Sequence, residues 1–406
     1  MSNPLIDMDE AIARMIASTH SVTETQEMPT LDAFGLVLAK SVLAPMNVPP
    51  EDNSAMDGYA VRCADTAKPG ATLKIAQRIA AGETGLPLVA GTAARIFTGA
   101  PIPPGADAVV MQELCTTSAE TVTIQHSPKA GENIRTKGED ILQGTCLITA
   151  GTRLTAAHLG LAASVGIAKL PVLRKPRIAL FSTGNELKMP GETLACGQIY
   201  NSNRFFLLTL LRQLACEVTD LGVVRDDLAA TEQALKNAAH DHDLILTCGG
   251  VSVGEEDHVK KAVHSQGRLD LWSIAIKPGK PLAFGAIRRR NGSEAYFVGL
   301  PGNPVSAYIT LLTIVRPFIH KLAGLKPLQL NALTMRADFD WLKPDKRREF
   351  LRVQRNPQGG LSLYPQQGSG VLSSLAWADG LVDNPPGKTI TKGDIVHYLP
   401  LQYLLN

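Results

Sequence analysis

DLILTCGGVSVGEED, the stretch from Asp243 to Asp257, decides the fold class. A short apolar run comes first, a glycine-rich segment follows, and three acids lead into a pattern with helical spacing. The apolar run predicts a buried strand, and the glycines predict a tight turn before the next helix. A strand, a glycine loop and a helix in this order are typical of α/β folds.

Strands and helices alternate on both sides of this stretch, from Lys175 to about residue 325. The predicted elements are the strand RIALFS, a helix from about Ser202 to Cys216, the strand VTDLGVV, the helix LAATEQALKNAAH, the strand DLILTCG, a helix from about Glu256 to His264, the strand AYFVGL and the helix NPVSAYITLLTIVRPFIHKLAG. Such alternation predicts a doubly wound α/β domain built on a parallel sheet.

Different patterns flank this α/β region. Asp7 to His20 has helical spacing, and Asp7 with Glu10 predicts a capping box. From about Pro49 to Ala150, short runs rich in Val, Ile and Thr are broken by Gly and Pro, which predicts a mostly β domain. The stretch TAAHLGLAASVG predicts a further helix, and the prolines of KLPVLRKP mark a boundary. Beyond residue 325, REFLRVQR, GLSLYP and DIVHYLP predict a small β domain.

The composition argues against several classes of partner. The 406 residues carry 40 basic and 38 acidic side chains, a formal net charge of +2, so no overall field favours a nucleic-acid or membrane partner. No apolar run approaches the ~18 residues of a membrane helix. The six cysteines never form a C-x-x-C pair, which leaves zinc and redox motifs unsupported. These features predict a cytoplasmic, multidomain globular protein with reduced thiols.

Polar residues follow the predicted strands at the end where α/β sheets bind ligands. Glu186, Asp226 and Asp257 each come shortly after a strand, so the three acids could face one cleft. Lys277 and Lys280 flank a Pro-Gly turn, and Gly302 and Asn303 precede a helix N-terminus. Acids beside lysines and free backbone amides suit a phosphorylated ligand with a hard cation such as magnesium.

Each of these residues also has an ordinary structural explanation. Asp226 or Asp227 could cap the next helix, and acids in a first helical turn are favoured by the helix dipole. Lys277 and Lys280 could be surface lysines, and His258 could lie on a helix surface. Capping explains a single acid well, but three acids at successive strand ends favour a shared cleft.

The string Gly250 to Gly254 also matches G-x-S-x-G, the pattern of a serine nucleophile elbow. That fold needs an acid and then a histidine downstream; Asp257 is too close, and His320 lies late in a long apolar helix. A Walker A loop would need G-K-[ST] after the glycines, and none is present. The glycines therefore favour a loop whose amides approach a phosphate or a pterin, with Asp257 beside the reacting group or cation.

Several motifs together resemble one family, the MoeA-type molybdopterin molybdenumtransferases, which include the E domain of gephyrin. They are NSAMDGYA, FTGAPIPPGADAVVMQE, ENIRTKGEDI, STGNEL, GQIYNSN, TCGGVSVGEEDHVK, IKPGKP and GLPGNPVSA, which begin at residues 53, 97, 132, 182, 197, 247, 276 and 299. The motifs span nearly the whole chain. The middle β domain distinguishes this family from single-domain adenylyltransferases that share the α/β part.

The resemblance implies an elongated homodimer of four-domain subunits. The domains would be a linker and dimerisation domain at 1–50 and 141–175, a β-rich domain at 51–140, an α/β molybdopterin-binding domain at 176–325 and a C-terminal β domain at 326–406. Each cleft would combine the α/β domain of one subunit with the β-rich domain of the other. The substrates would be adenylylated molybdopterin and molybdate, with Mg²⁺ assisting release of AMP, and the product would pass to molybdoenzyme apoproteins or their chaperones.

The resemblance also implies the site residues. The catalytic positions are matched by Asp57, Thr98, Asp140, Glu186, Asp226 and Asp257, of which Glu186, Asp226 and Asp257 are the implied magnesium ligands. The substrate-binding positions are matched by Gly249, Gly250, Ser252, Gly254, Lys277, Lys280, Pro301, Gly302, Asn303, Pro304, Arg347 and Ser369. The two lysines would neutralise pyrophosphate, the two prolines would shape the molybdate pocket, and Arg347 with Ser369 would help bind the oxyanion.

The departures from the family pattern are small. Asn185 stands where Asp is often found, and His258 stands where Tyr is common. A second hypothesis remains, namely a protein on the same fold that binds a pterin nucleotide or scaffolds partners without turnover. The joint presence of five acids around one cleft favours catalysis over binding alone.

Overall fold

A seven-stranded sheet forms the centre of the protein; the computed structural model describes residues 5–250, 258–325 and 332–405. In spatial order the strands are Leu5–Ile6, Gly267–Ile274, Pro281–Arg288, Glu294–Leu300, Leu244–Cys248, Arg177–Thr183 and Glu217–Val224. The last four are mutually parallel, as the sequence predicts. All five residues of Leu244–Cys248 are buried, because the strand is covered on both faces.

The sheet is mixed rather than wholly parallel, which corrects the sequence prediction. Pro281–Arg288 runs antiparallel to both of its neighbours, Gly267–Ile274 and Glu294–Leu300. The connections on either side of it are short turns, and a parallel pairing would need a crossover of a dozen residues or more. The sequence pattern therefore missed three strands in the segment around Lys277 and Lys280, namely Gly267–Ile274, Ile276–Lys277 and Pro281–Arg288.

Helices cover both faces of this sheet. They span Met8–Ala17, Ser202–Gln213, Leu228–Asp241, His258–Gln266, Pro304–Thr310 and Arg316–Leu322, and a π-helical segment at Leu311–Val315 joins the last two. Leu228–Asp241 and His258–Gln266 pack on one face. The others pack on the opposite face. No helix among the described residues is long and apolar enough to cross a membrane.

The ends of two helices differ from the prediction for local reasons. Asp7 caps the first helix by accepting from the amide of Asp9 at 2.8 Å, but Glu10 binds Arg14 instead of completing a capping box. Ser202–Gln213 ends three residues before the predicted end at Cys216. Ala215 has a φ of 59°, a left-handed conformation that stops the helix.

The middle of the chain folds as a six-stranded β-sheet, which agrees with the predicted β domain. Its strands are Gly58–Val61, Ala71–Ile79, Thr92–Ile96, Ala108–Met111, Cys115–Ser118 and Thr121–Ile124. Tyr59 and Val110 contribute to a core on one face, and Ile96 and Val109 contribute to a core on the other. Two shorter strands, Asn53–Ser54 and Ile134–Arg135, pair next to this sheet.

The segments before and after this sheet pack against each other. Their elements are the strands Thr25–Pro29, Val37–Leu38, Val42–Leu43, Cys146–Ile148 and Lys169–Leu173, and the helix Ala156–Ser164. Thr155 caps that helix, and His158 completes a capping box with it. Leu38, Ala162 and Leu170 share one core, so two segments far apart in sequence fold together.

The C-terminal residues form a second β-rich unit that is joined to the central sheet. Its elements are the strands Leu333–Arg336, Arg348–Arg355, Leu361–Leu363, Gly380–Asn384 and Ile395–Pro400, and the helices Ser373–Trp377 and Leu401–Leu405. The short strand Ile276–Lys277 pairs in parallel with Arg348–Arg355. Phe350 and Leu399 lie in the same core as residues of the central sheet.

An ion pair joins the central sheet to the segments before it. Arg174 donates to both carboxylate oxygens of Asp243, at 2.6 and 2.9 Å, and also to the exposed Glu24. Burial raises the pKa of Asp243, but the hydrogen bonds from Arg174 and from the amide of Arg177 outweigh burial and lower it below the ordinary 3.8. The carboxylate is therefore charged at neutral pH and satisfied by its partners.

We expect Asp243→Asn to lower the free energy of unfolding by about 2 kcal/mol at pH 7, because Arg174 loses its buried anion. Glu24→Gln is the matched control and should cost under ~0.5 kcal/mol, since Glu24 is exposed. Because the folded-state pKa of Asp243 is lowered, its stabilisation is present above the unfolded pKa and lost as the pH falls through the folded value. Urea unfolding at pH 7 and pH 3 measures both effects; equal losses for the two variants would contradict the assignment.

Candidate functional site

A cleft of about 820 Å³ lies at the carboxyl ends of the parallel strands. Eight of the residues predicted from the sequence line it: Glu186, Asp226, Gly249, Gly250, Pro301, Gly302, Asn303 and Pro304. They come from different loops, which the order of the strands brings to one edge of the sheet. The structure therefore places these residues in one cavity.

Two glycines let the loop after Leu244–Cys248 turn across the cleft floor. Gly249 and Gly250 have φ angles of 92° and 67°. A Cβ on Gly250 would lie 2.6 Å from a methyl of Val259 and 2.9 Å from the hydroxyl of Thr183. Only glycine fits there without displacing a neighbour, so the loop backbone itself forms the cleft surface.

Of the three described acids that follow the strands, one caps a helix and two line the cleft. Asp227 accepts from the amide of Ala230 at 2.8 Å and caps the helix Leu228–Asp241. Asp226 lines the cleft instead, which resolves the choice that the sequence left open. Glu186 also lines the cleft, and its carboxylate lies against Gly184, where a Cβ would come within 2.5 Å of a carboxylate oxygen.

Asn203 and Cys248 connect three loops of the cleft, and the sequence reasoning did not single them out. The Asn203 side chain donates to the carbonyl of Gly302 at 2.7 Å and to the sulfur of Cys248 at 3.1 Å. The Cys248 thiol donates to the carbonyl of Pro301 at 3.2 Å, and burial raises the pKa of this thiol to about 11. The motif GQIYNSN contains Asn203 and was the one signal in the sequence, but its spacing does not reveal these partners.

Buried polar atoms without partners line the same cleft. Ser182 Oγ and Asn201 Nδ2 make no hydrogen bond within the described residues, and both side chains are 2% exposed. Native proteins satisfy most buried polar groups, and exceptions call for a ligand or an ordered water. These two atoms therefore leave hydrogen-bonding capacity in the cleft for a polar ligand or an ordered water.

His258 lies in the cleft rather than on an outer helix surface. It begins the helix His258–Gln266 and lines the cavity, with a buried Nδ1 that has no partner among the described residues. His320, the histidine considered for a serine hydrolase, is 2% exposed in the helix Arg316–Leu322. Burial and the nearby charge of Arg316 lower the pKa of His320 to about 3.

The predicted cationic residues lie beside the cleft rather than in its lining. Lys277 is paired with Asp345 at 3.4 Å and with Glu349 at 3.2 Å. Lys280 and Arg347 line a neighbouring cavity of about 480 Å³. The predicted oxyanion residue Ser369 has a backbone role: its carbonyl accepts from the amide of Val305 at 3.0 Å.

Asp57 and Thr98 meet on the six-stranded sheet, away from the cleft lining of their own chain. One carboxylate oxygen of Asp57 accepts from the amide of Thr98 at 2.8 Å and from its hydroxyl at 2.9 Å. These two hydrogen bonds hold the pKa of Asp57 below its ordinary value. Asp140 is exposed, and its amide donates to the carbonyl of Val48. The predicted residues Ser252, Gly254 and Asp257 lie outside the described residues.

Three family profiles match successive parts of the chain. The "MoeA N-terminal region (domain I and II)" matches residues 6–166. The "Probable molybdopterin binding domain" matches residues 179–321, and the "MoeA C-terminal region (domain IV)" matches residues 334–401. Together they cover the central sheet and both flanking regions.

Similar proteins match over nearly the full length. The "Molybdopterin molybdenumtransferase" of Haemophilus influenzae is 38% identical, with 99% of this chain and 100% of that protein covered. "Molybdopterin molybdenumtransferase 2" of Mycobacterium tuberculosis is also 38% identical, with 92% and 93% covered.

The fold is similar to two solved structures of the molybdopterin biosynthesis MoeA protein from Pyrococcus horikoshii. One has a TM-score of 0.81 at 31% identity, with 98% of this chain and 99% of that chain covered. The other has a TM-score of 0.83 at 26% identity, with 98% and 100% covered. Profiles, relatives and fold agree, and the chain belongs to the MoeA family of molybdopterin molybdenumtransferases, the transferases of molybdenum cofactor biosynthesis.

Proposed function

We propose that this protein inserts molybdenum from molybdate into adenylylated molybdopterin and releases AMP, with Mg²⁺ assisting. The observation that carries the proposal is the cleft where two glycine loops, two acids and buried unpartnered polar atoms meet. A nucleotide-bearing pterin offers phosphates to backbone amides and polar ring edges to Ser182 and Asn201. The names of the 38% identical relatives support the same reaction class.

The carboxylates that line the cleft fit a magnesium ion. Glu186 and Asp226 offer the oxygen donors that this ion prefers, and it usually keeps phosphate oxygens and water as its other ligands. Among the described residues, no cluster of three acidic, histidine or cysteine side chains is placed to hold a metal. We propose Asp257 as a third ligand. Bound there, magnesium would neutralise charge on the phosphate oxygens as the adenylate leaves.

The chain's own groups bind and orient the substrate in this proposal. Backbone amides of the loops that contain Gly250 and Gly302 contact the phosphates, and one of the three acids uses the carboxylate oxygen that does not bind the cation to position water at the phosphoanhydride. Lys280 and Arg347, at the neighbouring cavity, neutralise anionic oxygens of the pyrophosphate and molybdate. Pro301 and Pro304 give the cleft wall its shape.

We propose that Asp57, Thr98 and Asp140 act in the cleft of a second copy within a homodimer. All three are exposed, and none lines the cleft of its own chain. The hydrogen bonds from Thr98 lower the pKa of Asp57, so its carboxylate is anionic at neutral pH and can accept a hydrogen bond or face a cation at a neighbouring site. A cytoplasmic location and transfer of the product to molybdoenzyme apoproteins or their chaperones belong to the same proposal.

The reaction is tested by AMP release from adenylylated molybdopterin, with and without molybdate and Mg²⁺, followed by activation of a molybdenum-free apoenzyme. We expect release that requires molybdate and a product that activates. Tight binding of the pterin with neither release nor activation would contradict the proposal and favour a binding or scaffold protein.

Gly250→Ala should reduce kcat/KM for AMP release by at least about tenfold, because the added methyl displaces Thr183 or Val259 and shifts the cleft floor. Gly292→Ala is the matched control. Gly292 also has a positive φ, 83°, but a methyl added there would have no atom within 4 Å, so this variant carries the backbone strain alone. Activity and thermal midpoint are measured for both; a Gly250 variant with native activity would refute the role of the loop.

Mixed dimers test the shared cleft. Asp57→Asn and Glu186→Gln should each inactivate a homodimer, whereas a heterodimer of the two retains one cleft with both native residues. An equal mixture that has been unfolded and refolded should recover about a quarter of native activity, because half of the dimers carry one intact cleft of two. No recovery, with dimer exchange verified by differential tags, would place Asp57 and Glu186 in the same chain's site.

A further inference from the structure

Glu349 is a buried acid on the strand that joins the C-terminal unit to the central sheet. It is 1% exposed and lies opposite Lys277 in the parallel pairing of Arg348–Arg355 with Ile276–Lys277. A carboxylate so deeply buried is costly unless its charge is compensated. The contacts of its two carboxylate oxygens therefore indicate the role of Glu349.

The two oxygens of Glu349 have different partners. Oε2 accepts from the indole nitrogen of Trp341 at 2.8 Å and from the amide of Asp345 at 3.1 Å. Oε1 has no hydrogen-bond partner among the described residues and forms an ion pair with the ammonium of Lys277, 3.2 Å away. Two hydrogen bonds thus hold the first oxygen, and the second oxygen lies beside the lysine.

Asp345 extends this contact to Arg347. Its carboxylate accepts from Nε and Nη2 of Arg347, at 2.9 and 3.0 Å, and lies 3.4 Å from Lys277 Nζ. These hydrogen bonds from Arg347 keep the pKa of Asp345 well below its ordinary value. Lys277 thus lies between two carboxylates, of which Glu349 is buried and Asp345 is partly exposed.

The turn after Lys277 packs closely against a helix of the central domain. A Cβ on Gly279 would lie 2.6 Å from the hydroxyl of Thr310, the last residue of the helix Pro304–Thr310. Lys280, next along the turn, lines the cavity of about 480 Å³ together with Asp345, Lys346 and Arg347. Pro281 already belongs to the lining of the main cleft. Lys280 and Pro281 are adjacent in the chain and line different cavities, so the turn that begins at Lys277 borders both of them.

We propose that Glu349 is a positioning residue, which orients the Lys277 ammonium toward an anionic group of the substrate at the junction of the cleft and the C-terminal unit. The two carboxylates lie 3.2 and 3.4 Å from the ammonium and restrict the positions that it can occupy. A free lysine would lose all of its rotamer freedom on binding, whereas this one is already restricted by its two ion pairs. The inference rests on the proposed function, because it takes Lys277 as a substrate-binding cation.

The test is a double-mutant cycle of Glu349→Gln and Lys277→Met on AMP release. Glu349→Gln alone should lower kcat/KM by roughly 10²-fold, the scale of a misplaced substrate-binding group. In the Lys277→Met background it should lower kcat/KM by less than about twofold, because the residue through which it acts is gone. If the double variant loses kcat/KM by the product of the two single losses, Glu349 does not act through Lys277. Its role would then be merely structural, and the inference would be overturned.

A second measurement needs no turnover. Acetylation of Lys277 by acetic anhydride, followed by peptide mass spectrometry, should become several-fold faster in Glu349→Gln, while the exposed Lys388 is labelled at an unchanged rate. An unchanged rate at Lys277 would overturn the contact itself. A native protein that releases no AMP would instead overturn the proposed function, and the role of Lys277 with it.

Two controls separate positioning from folding. Lys388→Met removes an exposed lysine of the same C-terminal unit and should retain native kcat/KM. If Glu349→Gln lowers the thermal midpoint too far for assay, Trp341→Phe replaces it in the cycle, since it removes the indole donor that holds Glu349 Oε2. Full multiplication of the Trp341→Phe and Lys277→Met losses would count against the inference in the same way.

Discussion

The close approach of bare backbone at the carboxyl edge of the sheet is the constraint on which the cleft depends. A methyl added to Gly302 would lie 3.9 Å from the Cα of Gly249, and one added to Gly250 would meet Thr183 and Val259. The loop after Leu244–Cys248 can pass Thr183 and Val259 only because Gly250 carries no side chain. Asn203 and Cys248 connect this loop to the loop of Pro301 and Gly302 by hydrogen bonds.

The central sheet also has to be held in fixed relation to its neighbours at both ends. At the amino edge, Arg174 and Asp243 join it to the segments that precede it. Near the carboxyl edge, the pairing of Ile276–Lys277 with Arg348–Arg355 joins it to the C-terminal unit. Both joints use a buried or half-buried acid with a long cationic partner, so each depends on charge compensation as well as on apolar packing.

The sequence predicted the parts of the site that follow from local pattern. The rule that ligands collect after the strands of an α/β sheet located Glu186, Asp226 and the Gly249 loop, and the structure places all three in one cleft. It could not separate Asp226 from Asp227, because either aspartate can cap a helix and only the backbone conformation decides. It also missed the strand Pro281–Arg288. The antiparallel direction of this strand depends on the short connection before it, and a hydrophobic pattern carries no information on direction.

Contacts between residues that are far apart in the chain could not be predicted from the sequence, for a different reason. Lys277 and Glu349 are far apart in sequence, and nothing in either local stretch indicates that a buried acid faces the lysine. The same holds for the unpartnered Ser182 and Asn201, which look like ordinary cap or strand residues until their burial is known. Such information resides in tertiary packing, which a single sequence does not display.

The distribution of charge around the cleft gives the C-terminal unit a physical role. Among the described residues that line the cleft there are two acids and no lysine or arginine. A phosphorylated, oxyanion-bearing substrate would therefore be repelled by the side chains of the cleft itself, and backbone amides with a bound cation would offset only part of that repulsion. The lysines and arginine that can supply the remainder, Lys280, Lys346 and Arg347, lie at the junction with the C-terminal unit. Fixing that junction in place is thus a condition for binding an anion in the cleft, and the buried carboxylate of Glu349 lies where the two parts are joined.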